Sequence, residues 1–217
     1  MPRESQAALQ ERCAKVTERL EQSYPDAHCE LVFSNPLELL VATILSAQCT
    51  DLQVNKVTQD LFATYRSPSD YADAPPEVFA QAIRRIGLYR NKAKNIQAAC
   101  RLILDRHAGH VPSDMDALIA LPGVGRKTAN VVLGNAFDMN VGVVVDTHVA
   151  RLSQRLRLTS EKDPTRIEVA LMRLVPQDKW TWFSHWLIWH GRRCCRARNP
   201  ACDTCPLRDL CPSADKV

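Results

Sequence analysis

Apolar residues recur along most of this chain at the spacing of an amphipathic α-helix, and this pattern restricts the fold more than any other feature. One such apolar stripe consists of Leu9, Cys13, Val16 and Leu20. Asn35 and Asp163 each precede a proline, as an N-cap precedes the first helical residue. Residues 141–145 alone resemble a strand, and one isolated strand cannot build a sheet. The sequence therefore predicts an all-α fold.

Capping residues and glycines set the expected helix boundaries. Predicted helices cover about 36–48, 52–64, 126–137, 146–157, 164–175 and 180–192. Pro76 opens a further helix, which we expect Gly87 to end in the left-handed conformation. The next helix stops at Gly109, and Ser113 with Asp116 predicts a capping box for a short helix after it.

Composition excludes several classes of protein. The chain has 217 residues, 46% of them hydrophobic and 24% charged, which is typical of one folded domain or two small ones and not of a disordered tail. The longest apolar stretch, 37–49, is interrupted by Glu38 and is too short to span a bilayer. The glutamates among the first twenty residues do not fit a signal peptide. We expect a cytoplasmic protein that does not enter a membrane.

Positive charge is concentrated in two segments, although the net charge is only +4. Residues 83–107 hold seven basic side chains and one acidic side chain, and residues 190–199 hold four arginines and no acid. Such segments fit either contact with a polyanion such as DNA or ordinary solvated helix faces.

The glycine-containing turn at residues 121–125 joins two predicted helices. Gly123 and Gly125 permit positive φ, so main-chain N–H groups at the start of the next helix can point at a phosphate oxygen. We expect Val124 to pack inward and hold this turn. The glycines alone favour a tight helix–helix turn without a ligand. Phosphate binding gains support from the residues that open the next helix, Arg126-Lys127-Thr128-Ala129-Asn130.

Lys127 and Asp146 each have a chemical and a simpler interpretation. An amine attacks carbon only when it is neutral, whereas lysine has a reference pKa of about 10.4. Partial burial and a helix N-terminus both favour the neutral form, but a phosphate contact by Lys127 is simpler. Asp146 begins a predicted helix, so it is either an N-cap or a carboxylate that stabilises developing positive charge and transfers protons.

Five of the nine cysteines lie within residues 194–211. In a cytoplasmic chain such clustering indicates a metal centre and not disulfides. Four of them, separated by six, two and five residues, are Cys195, Cys202, Cys205 and Cys211. Zinc sites usually contain two C-x2-C pairs, so this spacing favours a [4Fe–4S] cluster but leaves zinc open. Cys194 does not fit the spacing and is expected not to be a ligand.

These motifs together resemble a known family. Residues 121–132 resemble the helix-hairpin-helix signature of DNA glycosylases, and residues 145–151 resemble the segment that carries their essential aspartate. With the cysteine spacing, the chain resembles the endonuclease III family over nearly its whole length. The resemblance implies that Lys127 is a Schiff-base nucleophile, that Asp146 is the essential carboxylate and that the four cysteines hold a [4Fe–4S] cluster.

The implied activity is that of a bifunctional DNA glycosylase and AP lyase in base excision repair. The lysine displaces an oxidised pyrimidine from C1′, and the resulting imine allows β-elimination to cut the strand on the 3′ side. Arg126 cannot do this because it stays protonated. The rival hypotheses are a monofunctional mismatch or adenine glycosylase, a non-catalytic helix-hairpin-helix DNA-binding module and an iron–sulfur redox carrier.

The expected partner is double-stranded DNA with a damaged pyrimidine or an abasic site, bound by a monomer in the cytoplasm at the nucleoid. The resemblance implies that Gln48 fills the space of the extruded nucleotide and that Leu88 is a wedge in the opposite strand. From the residues alone, Gln48 is simply exposed at a helix end and Leu88 can equally be buried. The other expected DNA contacts are Gly123, Val124, Gly125, Arg126, Thr128, His148, Arg196 and Arg198.

We expect two all-α lobes. One is a helical-barrel domain at 29–139, with the helix-hairpin-helix at about 114–137. The other is an iron–sulfur cluster domain built from 1–28 and 140–217, and Lys127 and Asp146 are expected to face one cleft. The four tryptophans within 180–189 are expected to pack in the core and not to stack on bases.

Overall fold

The computed structural model describes residues 4–216, and these residues form helices and loops without a strand. The all-α prediction is confirmed. In this range the α-helices are α1 (Gln6–Ser23), α2 (Pro36–Ser46), α3 (Asp51–Thr64), α4 (Pro68–Asp73), α5 (Pro76–Ala82), α6 (Tyr89–His107), α7 (Met115–Ile119), α8 (Arg126–Ala136), α9 (Thr147–Arg155), α10 (Pro164–Met172) and α11 (Trp180–Arg193). Two short 3-10 helices cover Gln177–Lys179 and Arg208–Leu210. None of the helices in the described range is long and apolar enough to cross a membrane.

The described residues form two compact units. The central unit is Cys29–Met139 and contains α2 to α8. The terminal unit consists of the residues up to His28 and those from Asn140 onward, with α1 and α9 to α11.

The central unit is built around α2, whose residues from Leu37 to Leu45 are all buried except Glu38. The helix begins as predicted: the side-chain oxygen of Asn35 accepts a hydrogen bond from the Glu38 N–H at 3.0 Å, and Pro36 follows the cap. α3, α6 and α8 pack against α2. A helix that is apolar on all sides must be covered on all sides, so α2 determines where the loops around it can lie.

The terminal unit buries the apolar stripe that the sequence predicts for α1. Cys13, Val16 and Leu20 are fully buried in a core shared with α9 and α11. α11 brings Trp186 and Trp189 into this core. The expectation that all four tryptophans pack inside is wrong for Trp182, which is 48% exposed.

Two predicted helix ends are wrong. Gly87 does not have a positive φ. Instead Leu88, with φ of 57°, takes the left-handed conformation just before α6. The helix itself ends earlier than predicted, at Ala82, and turns that bury Ile83 and Ile86 lead from there to Leu88. Asp114, and not Ser113, caps α7, by accepting a hydrogen bond from the Ala117 N–H at 2.8 Å.

The valine-rich segment before α9 is buried without being a strand. Val143, Val144 and Val145 are at most 8% exposed. The Val144 N–H donates to the Ser184 side-chain oxygen at 2.9 Å, so a hydroxyl on α11 takes the place of a neighbouring strand. This packing leads the chain into Asp146 at the start of α9.

Candidate functional site

The turn between α7 and α8 has the form of a helical hairpin. The Val124 N–H closes it by donating to the Leu121 carbonyl at 3.1 Å, and Val124 is buried as predicted. Gly123 has a φ of 80°, and a Cβ there would lie 2.9 Å from the Cβ of Asn95. Gly125 has an ordinary φ of −100°, so the predicted use of positive φ holds for Gly123 and is wrong for Gly125.

The N-terminus of α8 presents the lysine that the sequence selected. No side chain among the described residues caps the helix at Gly125, so its first-turn N–H donors are left to other partners. Arg126 and Lys127 are exposed in this turn, and Thr128 is partly buried. The sequence predicted two features that favour a neutral Lys127, a helix N-terminus and partial burial, and the helix N-terminus is present. The partial burial is not found.

Asp146 is the N-cap of α9. Its Oδ1 accepts hydrogen bonds from the N–H groups of His148 and Val149, both at 2.8 Å. The capping interpretation is therefore confirmed, and Oδ2 takes no part in these two bonds. The carboxylate is half-buried and held by main chain, which gives it a defined direction.

His148 packs inside the terminal unit. Its Nδ1 lies 3.3 Å from Nη2 of Arg151, and a Cβ added to Gly191 would lie 2.9 Å from the same Nδ1. Burial lowers the pKa of His148 below its ordinary value, while the charge of Asp146 acts in the opposite direction. A histidine in this position contributes packing and a neutral ring at neutral pH.

The helix that begins at Asp146 also anchors the cysteine-rich loop. Arg151 Nη2 donates to the carbonyls of Gly191 at 2.9 Å and Cys195 at 3.0 Å. One turn later, Arg155 donates to the Arg196 carbonyl at 2.7 Å and to the Sγ of Cys195 at 3.3 Å. These arginines therefore fix the loop's first residues against α9.

All five clustered cysteines line one pocket with about 410 Å³ of empty volume, part of it open to solvent. The pocket also contains His190, which is 2% exposed. Its Nε2 lies 3.6 Å from the Sγ of Cys205, and its Nδ1 lies 2.9 Å from the Tyr24 hydroxyl. The ligand atoms of His190, Cys194 and Cys205 lie within 4.8 Å of one another.

Sequence reasoning missed His190. The available signal was its position four residues, about one helical turn, before Cys194, the residue that caps the C-terminus of α11. Cys194, expected not to be a ligand, nevertheless lies in the pocket.

The donor set of the pocket fits an iron–sulfur cluster. Cysteine sulfur is the ligand such clusters use, and the surrounding Leu152, Leu156 and Leu207 are buried apolar side chains. Burial raises the pKa of Cys205 to about 12, so this thiol is protonated until a metal binds it. The Arg155 donor at Cys195 is of the type that supports a coordinated thiolate.

Two residues of the central unit stand out on neighbouring loops. Gln48 and Leu88 have φ of 55° and 57° and are both exposed, Leu88 by 60%. The alternative that Leu88 is buried is therefore wrong. A Cβ added to Gly87 would lie 3.9 Å from the Gln48 carbonyl oxygen, so the two loops are adjacent.

Arg196 and Arg198, expected as DNA contacts, are exposed in the cysteine-rich loop. Neither is drawn into the pocket, although the Arg196 carbonyl is bound by Arg155. Their charges therefore remain available to a polyanion.

Comparison with known proteins defines the class of this chain. Residues 41–177 match the family model of the HhH-GPD superfamily base excision DNA repair protein. Residues 195–211 match the iron–sulfur binding domain of endonuclease III. The helical fold, the hairpin and the cysteine pocket thus define a base excision DNA repair enzyme with an iron–sulfur cofactor, as predicted.

The relatives specify the family. The chain is 52% identical to endonuclease III of Synechocystis sp. over 96% of this chain and 95% of that protein, and 50% identical to that of Bacillus subtilis over 92% and 91%. It is 44% identical to endonuclease III of Escherichia coli K12 over 94% of this chain and 96% of that protein. The chain belongs to the endonuclease III family, which confirms the predicted resemblance.

Solved structures have the same fold. The chain is similar to the protein in the structure of a trapped endonuclease III–DNA covalent intermediate, with a TM-score of 0.91 and 48% identity, covering 95% of this chain and 97% of that one. A non-covalent endonuclease III–DNA complex gives the same values. A thermostable thymine-DNA glycosylase, 24% identical with a TM-score of 0.86 over 97% of this chain and all of that one, shares the fold.

Proposed function

We propose that this enzyme is a bifunctional DNA glycosylase and AP lyase that removes oxidised pyrimidines from duplex DNA, with Lys127 as its nucleophile. The observation that carries the proposal is the exposed position of Lys127 in the first turn of α8, directly after the glycine hairpin. A related protein that forms a trapped covalent intermediate with DNA supports it. An exposed amine at a helix N-terminus is accessible to a sugar whose phosphate the helix binds.

The reaction begins when the neutral amine of Lys127 bonds to C1′. The C1′–N bond breaks, the base leaves with that electron pair, and it takes up the proton that the attacking nitrogen now loses. The amine nitrogen then expels the ring oxygen, which takes a proton, and a protonated imine joins the lysine to C1′. Loss of a C2′ proton breaks the C3′–O bond and cuts the strand on the 3′ side, and water then releases the lysine.

We assign Asp146 to the charge and proton transfers of this sequence. Its carboxylate stabilises the positive charge that develops on the sugar and moves protons between the nitrogen, the base and solvent. We do not assign it the activation of Lys127, because a neighbouring negative charge favours the ammonium form. The cap bonds at Oδ1 orient the group for this role.

In this proposal three kinds of group bind DNA: main-chain N–H groups, side chains that replace a base in the stack, and basic side chains. The first-turn N–H groups of α8 hold a backbone phosphate, with Gly123, Val124, Gly125, Arg126 and Thr128 around it. Gln48 fills the gap left by the extruded nucleotide, and Leu88 is the wedge in the opposite strand. Arg196, Arg198 and His148 add phosphate contacts.

We assign the central unit as the helical-barrel domain with the hairpin at about 114–137, and the terminal unit as the cluster domain. We further infer that a monomer acts on chromosomal DNA in the cytoplasm, since each duplex lesion offers one site. We expect a single sedimenting species of monomer mass for the protein alone, and a species with the mass of one protein plus one duplex when one equivalent of lesion duplex is added.

Catalysis is tested with wild-type protein and 5′-labelled duplexes that carry thymine glycol, an abasic site or no damage. We expect 3′ strand cutting at the first two and, with sodium borohydride, a covalent adduct. Release of the base without cutting would indicate the monofunctional glycosylase instead. Binding without base release or cutting would indicate a non-catalytic DNA-binding module.

We propose that Cys195, Cys202, Cys205 and Cys211 hold a [4Fe–4S] cluster. The matched iron–sulfur domain begins and ends at the first and last of these cysteines, which supports this set over one that contains Cys194. These four cysteines would hold the cluster, and a bound cluster would cross-link Cys195, which Arg155 of α9 already contacts, to the three later cysteines.

The choice of ligands is tested by iron and sulfide analysis of two variants. We expect Cys202→Ser to lose most of the cluster, because three thiolates leave one iron without a protein ligand. The matched control Cys194→Ser, in the same pocket, is expected to keep the wild-type content. The reverse result, loss in Cys194→Ser with retention in Cys202→Ser, would identify the set His190, Cys194 and Cys205 as the metal site.

A further inference from the structure

Lys92 is a buried lysine in a strongly basic segment. It lies in the first turn of α6 and is 5% exposed, while Arg90 and Lys94 on either side are exposed. Its Nζ donates hydrogen bonds to the carbonyl oxygens of Leu45 at 2.8 Å and Ala47 at 2.5 Å. A charge this deep is unfavourable unless its donors are used, so its partners indicate its purpose.

The partners of Lys92 are the last carbonyls of α2. The last carbonyl oxygens of a helix find no N–H donor within the helix. α2 ends at Ser46 and is followed by Ala47, so no glycine caps it. A cation at a helix C-terminus is favoured both by hydrogen bonding and by the helix dipole. Lys92 is therefore the cap of α2, supplied by another helix.

The backbone of the same lysine belongs to the first turn of α6, directly after Leu88. Its main-chain N–H makes the ordinary first-turn hydrogen bond of α6 to the carbonyl of Leu88, the N-cap residue, at 3.1 Å. Its side chain binds the carbonyl of Ala47, which directly precedes Gln48. Gln48 and Leu88 are both non-glycine residues in the left-handed region, which is a strained conformation that surrounding contacts must maintain. The Lys92 side chain therefore ties the segment that leads into Gln48 to the helical turn that directly follows Leu88.

We propose that Lys92 is a positioning residue that holds the loops of Gln48 and Leu88 in the single geometry needed to open the duplex. This inference rests on the proposed function, in which those two side chains replace the extruded nucleotide and wedge the opposite strand. Lys92 itself does not touch DNA in this role. It acts only through the two loops.

The test compares a substrate that must be opened with one that is already open. We expect Lys92→Met, which keeps the length and removes the charge, to slow single-turnover excision of thymine glycol from a fully paired duplex by about 10- to 100-fold. Excision of the same lesion from single-stranded DNA should change by less than about twofold, because it needs no extrusion from a base pair. Equal slowing on both substrates, or no slowing on either, would overturn the proposal.

Two further variants keep the outcome decisive. Lys56→Met, an exposed lysine on α3, is the matched control and should leave both rates and their ratio at wild-type values. Lys92→Arg, which retains the charge and its donors, should recover a large part of the paired-duplex rate. If Lys92→Met does not fold, Lys92→Arg becomes the test variant. A fall of about 10- to 100-fold in its ratio of paired-duplex to single-stranded excision rates would then contradict the proposal.

A double-mutant cycle separates positioning from general stability. If Lys92 acts through Gln48, then Lys92→Met should slow paired-duplex excision less in a Gln48→Ala background than in the wild type. Fully multiplicative losses would count against the proposal. Failure of the wild-type protein to excise from either substrate would instead refute the proposed function.

Discussion

Replacing Lys127 by alanine is expected to abolish the covalent adduct that sodium borohydride traps between the wild-type protein and a duplex with an abasic site. The adduct is the reduced imine, so it needs an amine at C1′. We expect trapping to fall by about a thousandfold or more, as is usual when an enzyme loses its nucleophile. The measurement is the shifted band of labelled DNA on a denaturing gel at saturating enzyme.

Arg126 provides the matched control for this experiment. It is exposed in the same turn of α8, but a guanidinium stays protonated and cannot form the imine. Arg126→Ala should weaken DNA binding and reduce its salt dependence by about one phosphate contact, yet give the adduct once the DNA is saturated. An undiminished adduct in Lys127→Ala, or its loss only in Arg126→Ala, would show that the nucleophile is misassigned.

The parts of this protein that could be predicted from sequence depend on local chemistry. Asn35 and Asp163 cap helices because a short side-chain oxygen before a proline has few other roles, and both caps are formed. Gly123 has a φ of 80°, a conformation that other residues rarely adopt, so the glycine could be predicted as a requirement of the turn. The spacing of the cysteines is likewise a local property, and the family comparison confirms the cofactor it indicated.

The parts that could not be predicted depend on what a side chain meets from elsewhere in the chain. Lys92 was one basic residue among seven in its segment, and only the approach of α2 makes it a buried cap. The exposure of Lys127 and of Leu88 is likewise set by packing, because periodicity does not say how a loop between helices is covered. His190 joins the cysteine pocket through its contact with Cys205, fifteen residues later.

Asp146 is the residue whose two roles the structure allows an experiment to separate. As the cap, it accepts two main-chain hydrogen bonds through Oδ1. Asparagine retains this oxygen, so Asp146→Asn should preserve the start of α9 and remove only the negative charge. We expect single-turnover excision to slow by about 10²- to 10⁴-fold, with the dissociation constant for lesion DNA and the melting temperature near wild-type values.

Asp146→Ala removes the cap as well as the charge. We expect it to be as slow as Asp146→Asn and, in addition, less stable by about 1 kcal/mol, the usual cost of losing an N-cap. α9 also carries Arg155, which donates to the Sγ of Cys195, so any loss of iron caused by a loosened helix should occur in the alanine variant alone. A wild-type rate in Asp146→Asn would show that the carboxylate is only a cap. Equal losses of binding and excision would place it in DNA contact and not in proton transfer.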